Sequence, residues 1–399
     1  MKTKIRILHT GDWHLRNSGM IAGKSVWARS GEYNQRLVDA KTSLDEIVDY
    51  AQTNEVDIIV VAGDVFDYPK PEKEAIKVAV DTVDGLANAA PVVIVRGNSN
   101  HDGGGSTEQI SSLNVFRNRK TRFEVIISDI PESIPLYHPS CQIQLFTLPY
   151  PPKHVISALP QYKHLPPEAI NGLTSDKMVD IVRGFHGEID KGALNLLVGH
   201  FTVGGGKYSE EQIVPLWDVS VPKDDLERFD VVCLGHLHMS QEWYCGAIAQ
   251  GGFGDEGMEP GFRVVEYDVL KREVVKDFRV PVSHRRYKTV NVRDLLVIKL
   301  DEDPEMVVRV KGEATREEYQ QYLEVFKGLP YRFARNSVEI VKETRARCEA
   351  IAADMGSEEA FEEWLKVQEE TKGYMNRKDR LLLKVRTVEE KMKEASGAE

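Results

Sequence analysis

The chain has 399 residues, a formal net charge of −11 and 41% hydrophobic side chains. That much apolar material excludes a disordered chain, and the acidic balance argues against a protein that coats nucleic acid through bulk positive charge. No apolar run reaches membrane-spanning length, no signal-type stretch follows Met1, and Cys141, Cys233, Cys245 and Cys348 fall in neither a CxxC nor a zinc-finger spacing. An intracellular, cytoplasmic setting is expected.

The first half alternates strand-like and helix-like segments. Ile5 to Leu8 reads as a strand and is followed by a loop over roughly residues 15–31. Leu37, Ala40, Leu44, Ile47, Val48 and Ala51 then recur at helical spacing. Residues 57–62 form a buried strand, 72–88 a helix, and 91–95 a further strand. This is the rhythm of a layered α/β domain. Later strands are expected at 123–127, 142–147, 194–199, 230–234, 242–248 and 262–267. The proline-rich stretch 150–192 reads mostly as loop, with a short helix near 175–185.

The character shifts near residue 281. Residues 287–300 read as strand and turn, and 306–310 as a strand. Thr315 and Glu318 have capping-box spacing for a helix that carries Tyr319, Tyr322, Leu323 and Phe326, and another strand follows at 337–341. The tail, about 358–394, is helical with Gly373 as an interruption, and its apolar stripe suits packing against its own domain or a partner.

Polar residues gather where the apolar strands end. His9-Thr10-Gly11-Asp12-Trp13-His14 ends the first strand, and Gly63-Asp64-Val65-Phe66-Asp67 the second. Gly97-Asn98-Ser99-Asn100-His101-Asp102 ends the third, Gly199-His200 a fourth, and Gly235-His236-Leu237-His238 a fifth. Ligands of open α/β folds bind outside the carboxyl ends of strands, so these loops are expected to converge. Carboxylate, imidazole and amide donors suit two divalent ions that clamp an in-line displacement at phosphorus. The lack of thiolates points away from structural zinc. Mn²⁺ is the first choice, with Fe²⁺, Mg²⁺ and Zn²⁺ open.

In order and form these motifs resemble the calcineurin-like metallophosphoesterases, and within them the Mre11/SbcD nuclease family. The likeness is strong to about residue 267 and looser beyond. It implies an α/β four-layer sandwich, two sheets flanked by helices, with a small α+β capping domain and a helical tail. The expected divisions are 1–280 (nuclease), 281–345 (capping, DNA-positioning) and 346–399 (partner-ATPase binding). By motif, Asp12, His14 and His238 would bind one ion, Asp64 would bridge, and Asn100, His200 and His236 would complete the second site. His101 would be the catalytic histidine beside the scissile phosphate, with water activated by the ions as nucleophile. Asp67 and His9 are candidates for a supporting layer behind the ligands, each with a structural role as the alternative.

One departure from the family pattern stands out. Its third motif usually reads Gly-Asn-His plus an acidic residue, and here two extra residues separate Gly97 from the Asn100-His101 pair. Asn100 is placed as the ligand because it directly precedes His101, with Asn98 as the alternative. Gly204-Gly205-Gly206 is not a nucleotide loop, so any ATP must be bound by another protein.

The resemblance implies a Mn²⁺-dependent nuclease, duplex 3′–5′ exonuclease and single-strand endonuclease, that processes DNA ends. It would be a homodimer, through helices such as 33–51 and 106–116, bound to an SMC-like Rad50/SbcC-type ATPase. Arg285, Arg286 and Lys288 are candidate DNA contacts, and the tail adds Lys372, Arg377, Lys378, Arg380, Lys384 and Arg386. Two other readings fit parts of this pattern: a small-molecule or cyclic-nucleotide phosphodiesterase or protein phosphatase on the same fold, and a non-catalytic scaffold of an ATPase complex.

Overall fold

The computed structural model describes residues 3–27, 31–106, 109–208, 218–295, 303–341, 355–372 and 378–396. The chain divides into two compact units, Met1–Gly312 with Glu324–Val338, and Glu313–Leu323 with Glu339–Glu399.

Two sheets organise the first unit. In chain order the main elements are β1 (Lys4–Thr10), α1 (Gln35–Thr53), β2 (Ile58–Ala62), α2 (Lys73–Ala87), β3 (Val92–Val95), β4 (Val125–Ser128), β5 (Glu132–His138) and β6 (Cys141–Leu148). They continue with α3 (Lys153–Ala158), α4 (Pro167–His186), β7 (Leu194–His200), α5 (Lys223–Leu226), β8 (Val231–Gly235), β9 (Gly261–Asp268) and β10 (Glu273–Pro281). One sheet has six strands in the order β10-β9-β1-β2-β3-β4, and the other has four in the order β8-β7-β6-β5. The strands β1 to β4 run parallel in the first sheet, as do β6, β7 and β8 in the second.

Period-two alternation sorts the side chains into layers. Ile5, Ile7, Ile58, Val60, Val93 and Val95 face Leu145, Leu196, Val198 and Val231 between the sheets. The opposite face of the larger sheet carries Leu8, Ile59, Val61 and Ile94 against Leu37, Leu44 and Ile47 of α1 and Val78 and Val83 of α2. The outer face of the smaller sheet packs Phe146, Leu197 and Val232 against Met178, Val182 and Phe185 of α4. The result is the expected helix–sheet–sheet–helix sandwich. β2 is buried along its whole length, which is why it reads as an unbroken apolar run instead of an alternating one.

Five segments differ from expectation. Residues 109–116, expected within a helix at a dimer contact, form the short strand Gln109–Ser111 and the 3-10 turn Ser112–Phe116. Residues 242–248 form no strand: Gly246 turns the chain at φ +74, and Tyr244 makes only isolated bridges to Leu234 and Gln241. β5 and β10 are edge strands that sequence periodicity missed. β5 contains Pro135, which an edge tolerates, and β10 is largely exposed and charged. The helix near 175–185 runs the full 20 residues of α4, because Pro167 sits at its first turn, where a missing N–H costs nothing.

Past residue 281 strands occur at Tyr287–Asn291, Val307–Ala314 and Phe333–Ile340 and a helix at Arg316–Lys327, while residues 296–300 of the expected strand and turn lie outside the described residues. The capping box forms: Thr315 N donates to Glu318 Oε2 at 2.8 Å, and Glu318 N to Thr315 Oγ1 at 3.3 Å. In the tail, helices Ser357–Lys372 and Lys378–Ser396 are tied by Lys378–Glu362 and Arg386–Glu358 ion pairs. Gly373 and Arg377 lie outside the described residues. Among those described, no helix is long and apolar enough to cross a membrane.

Candidate metal centre

The loops leaving β1, β2, β3, β7 and β8 meet at one edge of the sandwich. Backbone bonds lock the first two together: Asp12 N donates to Gly63 O and His14 N to Asp64 O, both at 3.0 Å. His236 N donates to the Asp12 carboxylate at 3.0 and 3.1 Å. Asp12, His14, Asp64 and His236 all hold positive φ (50°, 46°, 50° and 96°), a costly conformation for side-chain-bearing residues that persists only when the surroundings enforce it. Gly97 has no choice of residue, because a Cβ there would overlap Asp64 Oδ1 and its backbone nitrogen.

Seven histidine and aspartate side chains converge into three overlapping groups: Asp12, His14 and His238; His14, Asp64 and His101; and Asp64, His200 and His236. Within each group the donor atoms lie within 4.8 Å of one another. His14 Nε2 and His238 Nε2 stand 3.0 Å apart, an approach in which at most one can carry the intervening proton. The buried His200 Nε2 has no hydrogen-bond partner and stands 3.3 Å from Asp64 Oδ2, while its Nδ1 is tied to the Ala62 carbonyl at 2.7 Å. Two imidazole nitrogens head to head and a third orphaned beside a carboxylate are what divalent cations would satisfy. The donors fit a pair of divalent ions with Asp64 between them.

Behind the ligands stands a polar layer. Asp67 accepts from Arg16 at 2.7 Å, faces His14 Nδ1 at 3.4 Å, and through its carbonyl holds His101 Nδ1 at 2.9 Å. His101 packs edge-on to His14 with ring centroids 4.7 Å apart and places Nε2 3.9 Å from Asp64 Oδ2. Burial works against charge on His14 and His200, yet Asp67, Asp64 and Asp12 outweigh it for His14, and Asp64 and Asp12 do so for His200. Both imidazoles are held up at about 9. Burial likewise opposes the Asp67 carboxylate, but His14 and Arg16 bring it down to about 2.

Ion binding is therefore expected to release protons. At pH 7 the ion-free His14 and His200 are protonated, and both must give up a proton to become ligands. Apparent affinity rises with pH until about 9 and then flattens. Calorimetric titration in two buffers of different ionisation heat should show a proton release that vanishes above that pH. The same shifts stabilise the ion-free fold fully below the ordinary histidine value of 6.5, and that stabilisation fades as pH rises through about 9.

The third loop corrects the expected placement of its asparagines. The Asn98 carbonyl accepts from both His101 N and Asp102 N at 2.9 Å, closing a tight turn that carries Asn100 outward while Ser99 Oγ accepts from the buried Arg96 at 3.3 Å. Asp102, fully buried, clamps the base of the turn through Gly97 N at 2.9 Å and Phe66 N at 3.1 Å. Asn98 consequently lines the cleft with Asp12, His14, Asp64, His101, His236 and His238, whereas Asn100 is exposed and does not. Of the two extra residues Asn100 bulges to solvent and Ser99 folds back on Arg96, while Asn98 and His101 both stay on the cleft. Asn98→Ala should weaken ion affinity by roughly 10–100-fold, and Asn100→Ala should leave it unchanged, as read by titration with Mn²⁺.

The remaining expected residues lie at or behind the cleft and on the surface. His9 is fully buried, beside Arg263, and lines no part of the cleft. Arg285 does line it, but its guanidinium is buried and bonded to Asp39 and Glu305. Arg286 faces Asp303 at 3.4 Å and Lys288 faces Glu256 at 3.5 Å. All three are spoken for by carboxylates. Sequence reading missed Asp218, whose carboxylate meets His236 Nε2 at 2.7 Å and which lies outside every motif.

The family model described as "Calcineurin-like phosphoesterase" matches residues 5–240. Two relatives bear the name of the SbcD component of the nuclease SbcCD. The one from Staphylococcus epidermidis is 28% identical over 77% of this chain and 75% of its own length. The one from Staphylococcus saprophyticus is 26% identical over 74% and 75%. A solved dimetal phosphatase from Danio rerio shares 14% identity, covering 70% of this chain and 99% of its own, with a TM-score of 0.38, a loose likeness.

Proposed function

The chain belongs to the calcineurin-like phosphoesterase family, a metal-dependent phosphoesterase, and from that premise we propose that it is a Mn²⁺-dependent DNA nuclease acting on DNA ends. The observation that carries the reading is the complete donor set around Asp64 with His101 at its edge, in a chain whose relatives are named as components of a nuclease. The activities proposed are 3′–5′ exonuclease on duplex ends and endonuclease on single strands.

Asp12, His14, Asp64 and His238 would hold one ion, and Asp64, Asn98, His200 and His236 the other. Bound ions of this kind neutralise charge on a phosphodiester and lower the pKa of water. The chain's own residues do the rest. Asp67 fixes the His101 ring through Nδ1, so that Nε2 is the nitrogen that exchanges a proton with the leaving oxygen. Arg16, Arg36 and Arg285 line the 380 Å³ cleft; Arg16 is paired with Asp67 and Arg285 with Asp39, while Arg36 bonds to the Met20 and Gly251 carbonyls.

Residues 281–345 are proposed as a DNA-positioning domain and 346–399 as the segment that docks an SMC-like Rad50/SbcC-type ATPase, in an assembly built on a homodimer. A small-molecule phosphodiesterase accounts for the metal centre equally well but gives the α+β region and the paired tail helices no task. The test is purified protein with Mn²⁺ on end-labelled duplex, on single-stranded circles and on bis-p-nitrophenyl phosphate. Degradation of DNA from its ends is the expected result. Hydrolysis of the small ester with intact DNA, even after the ATPase partner is added, would overturn the nuclease reading.

A further inference from the structure

Asp218 precedes the short strand Ser220–Val221 and its side chain is only 3% exposed. Oδ1 accepts from the Tyr150 hydroxyl at 3.1 Å and from Lys153 Nζ at 2.9 Å. Oδ2 accepts from Thr202 Oγ1 at 3.0 Å and from His236 Nε2 at 2.7 Å.

An ionised carboxylate has about four lone-pair sites, and all four are used here. Asp218 thus has no capacity left to ligate an ion itself, and it acts on the centre through His236. A histidine that donates from Nε2 has only Nδ1 to offer as a ligand atom, and a charged acceptor behind the ring raises the basicity of that nitrogen. Tyr150 reinforces the arrangement. Its ring lies 5.4 Å from His236 and 6.1 Å from His200, and its backbone exchanges bonds with Arg96, the residue before Gly97 and Asn98. Of the four partners only His236 is a ligand candidate, and it belongs to the group with Asp64 and His200.

We propose that Asp218 is a positioning residue for His236, and through it for the ion site formed with Asp64 and His200. It stands to that site as Asp67 stands to His14 in the other: one carboxylate behind one histidine of each site. The inference rests on the two-ion reading above.

The experiment is Mn²⁺ titration of the full-length protein by calorimetry, with electron paramagnetic resonance on the same samples. Wild type is expected to bind two ions and show the exchange-coupled signal of a pair. Asp218→Ala should keep one ion at wild-type affinity and weaken the other by roughly 10–100-fold, replacing the coupled signal with that of isolated Mn²⁺ at intermediate loading. Asp218→Asn, which keeps volume and one acceptor, should fall between them, and it carries the test if the alanine variant does not fold. Two ions at wild-type affinity in both variants would overturn the proposal. So would equal weakening of both ions together with a lower ion-free melting temperature, the mark of a structural role. Wild type binding fewer than two ions would instead overturn the two-ion reading itself.

Discussion

Replacing Asp64 with alanine is expected to abolish binding of both ions and to lower phosphodiester hydrolysis by at least about 10³-fold. Losing one electrostatic stabiliser of a transition state costs roughly 10²–10³-fold, and this carboxylate would serve two ions. Oδ2 stands 3.3 Å from His200, 3.8 Å from His14 and 3.9 Å from His101, so this one oxygen faces both halves of the centre. Oδ1 accepts from Asn98 N at 2.6 Å, which also ties the bridging residue to the third loop. Burial favours the protonated acid, but His200 and His101 outweigh it and hold the carboxyl well below the usual range. It therefore enters the centre already charged.

Alanine at this position also has to adopt φ +50, which aspartate and asparagine tolerate better. Asp64→Asn separates the two effects, since it keeps the backbone preference and the bond to Asn98 while removing the charge. Both variants should show a melting temperature that Mn²⁺ no longer raises. A variant that retains two ions and near-wild-type hydrolysis would sink the bridging assignment.

The fold and most of the centre were legible because the chemistry follows the physics of strands. A parallel strand buried on both faces is an apolar run that stands out in the sequence, and its carboxyl end must stop being apolar where it meets solvent. Asp12, His14, Asp64, His200, His236 and His238 all sit within a few residues of such an end, and the structure gathers all six. What sequence could not supply was anything decided by three-dimensional closure. Asn98 and Asn100 are both asparagines beside His101. The choice between them is made by the Asn98 carbonyl and the Asp102 clamp, which throw the tip of the turn outward. Asp218 lies outside every motif, and only the packing of α3, Thr202 and the β8 loop brings it to His236. The sequence around Arg285 does not reveal its carboxylate partner, because Asp39 lies 246 positions away in sequence. The missed elements have the same origin. Pro135 and the charges of Glu273–Pro281 argue against interior strands, and both segments are edges, where those arguments lose their force.

The remaining large effect concerns the proton and not the ions. His101→Ala is expected to reduce hydrolysis by roughly 10²–10⁴-fold, the range over which a positioned acid or base acts, while ion affinity and the Mn²⁺-induced rise in melting temperature stay near wild type. The separation follows from geometry. His101 lies at the edge of the ligand cluster, half-buried on the cleft, with its Nδ1 engaged by the Asp67 carbonyl. The atom left to act is Nε2, which faces the cleft near Asp64. Removing the ring takes away a proton carrier and leaves Asp12, His14, Asp64, Asn98, His200, His236 and His238 in place. His101→Gln keeps a polar side chain of similar reach but cannot deliver a proton, so it should resemble alanine if the histidine moves a proton and recover activity if it only orients the phosphate. A substrate with a good leaving group, such as bis-p-nitrophenyl phosphate, needs less protonation of the departing oxygen. The defect measured on that ester should accordingly be smaller than on DNA. An equal defect on both substrates, or loss of ions alongside activity, would move His101 from proton transfer into the ligand set, a placement open to it because it shares a cluster with His14 and Asp64.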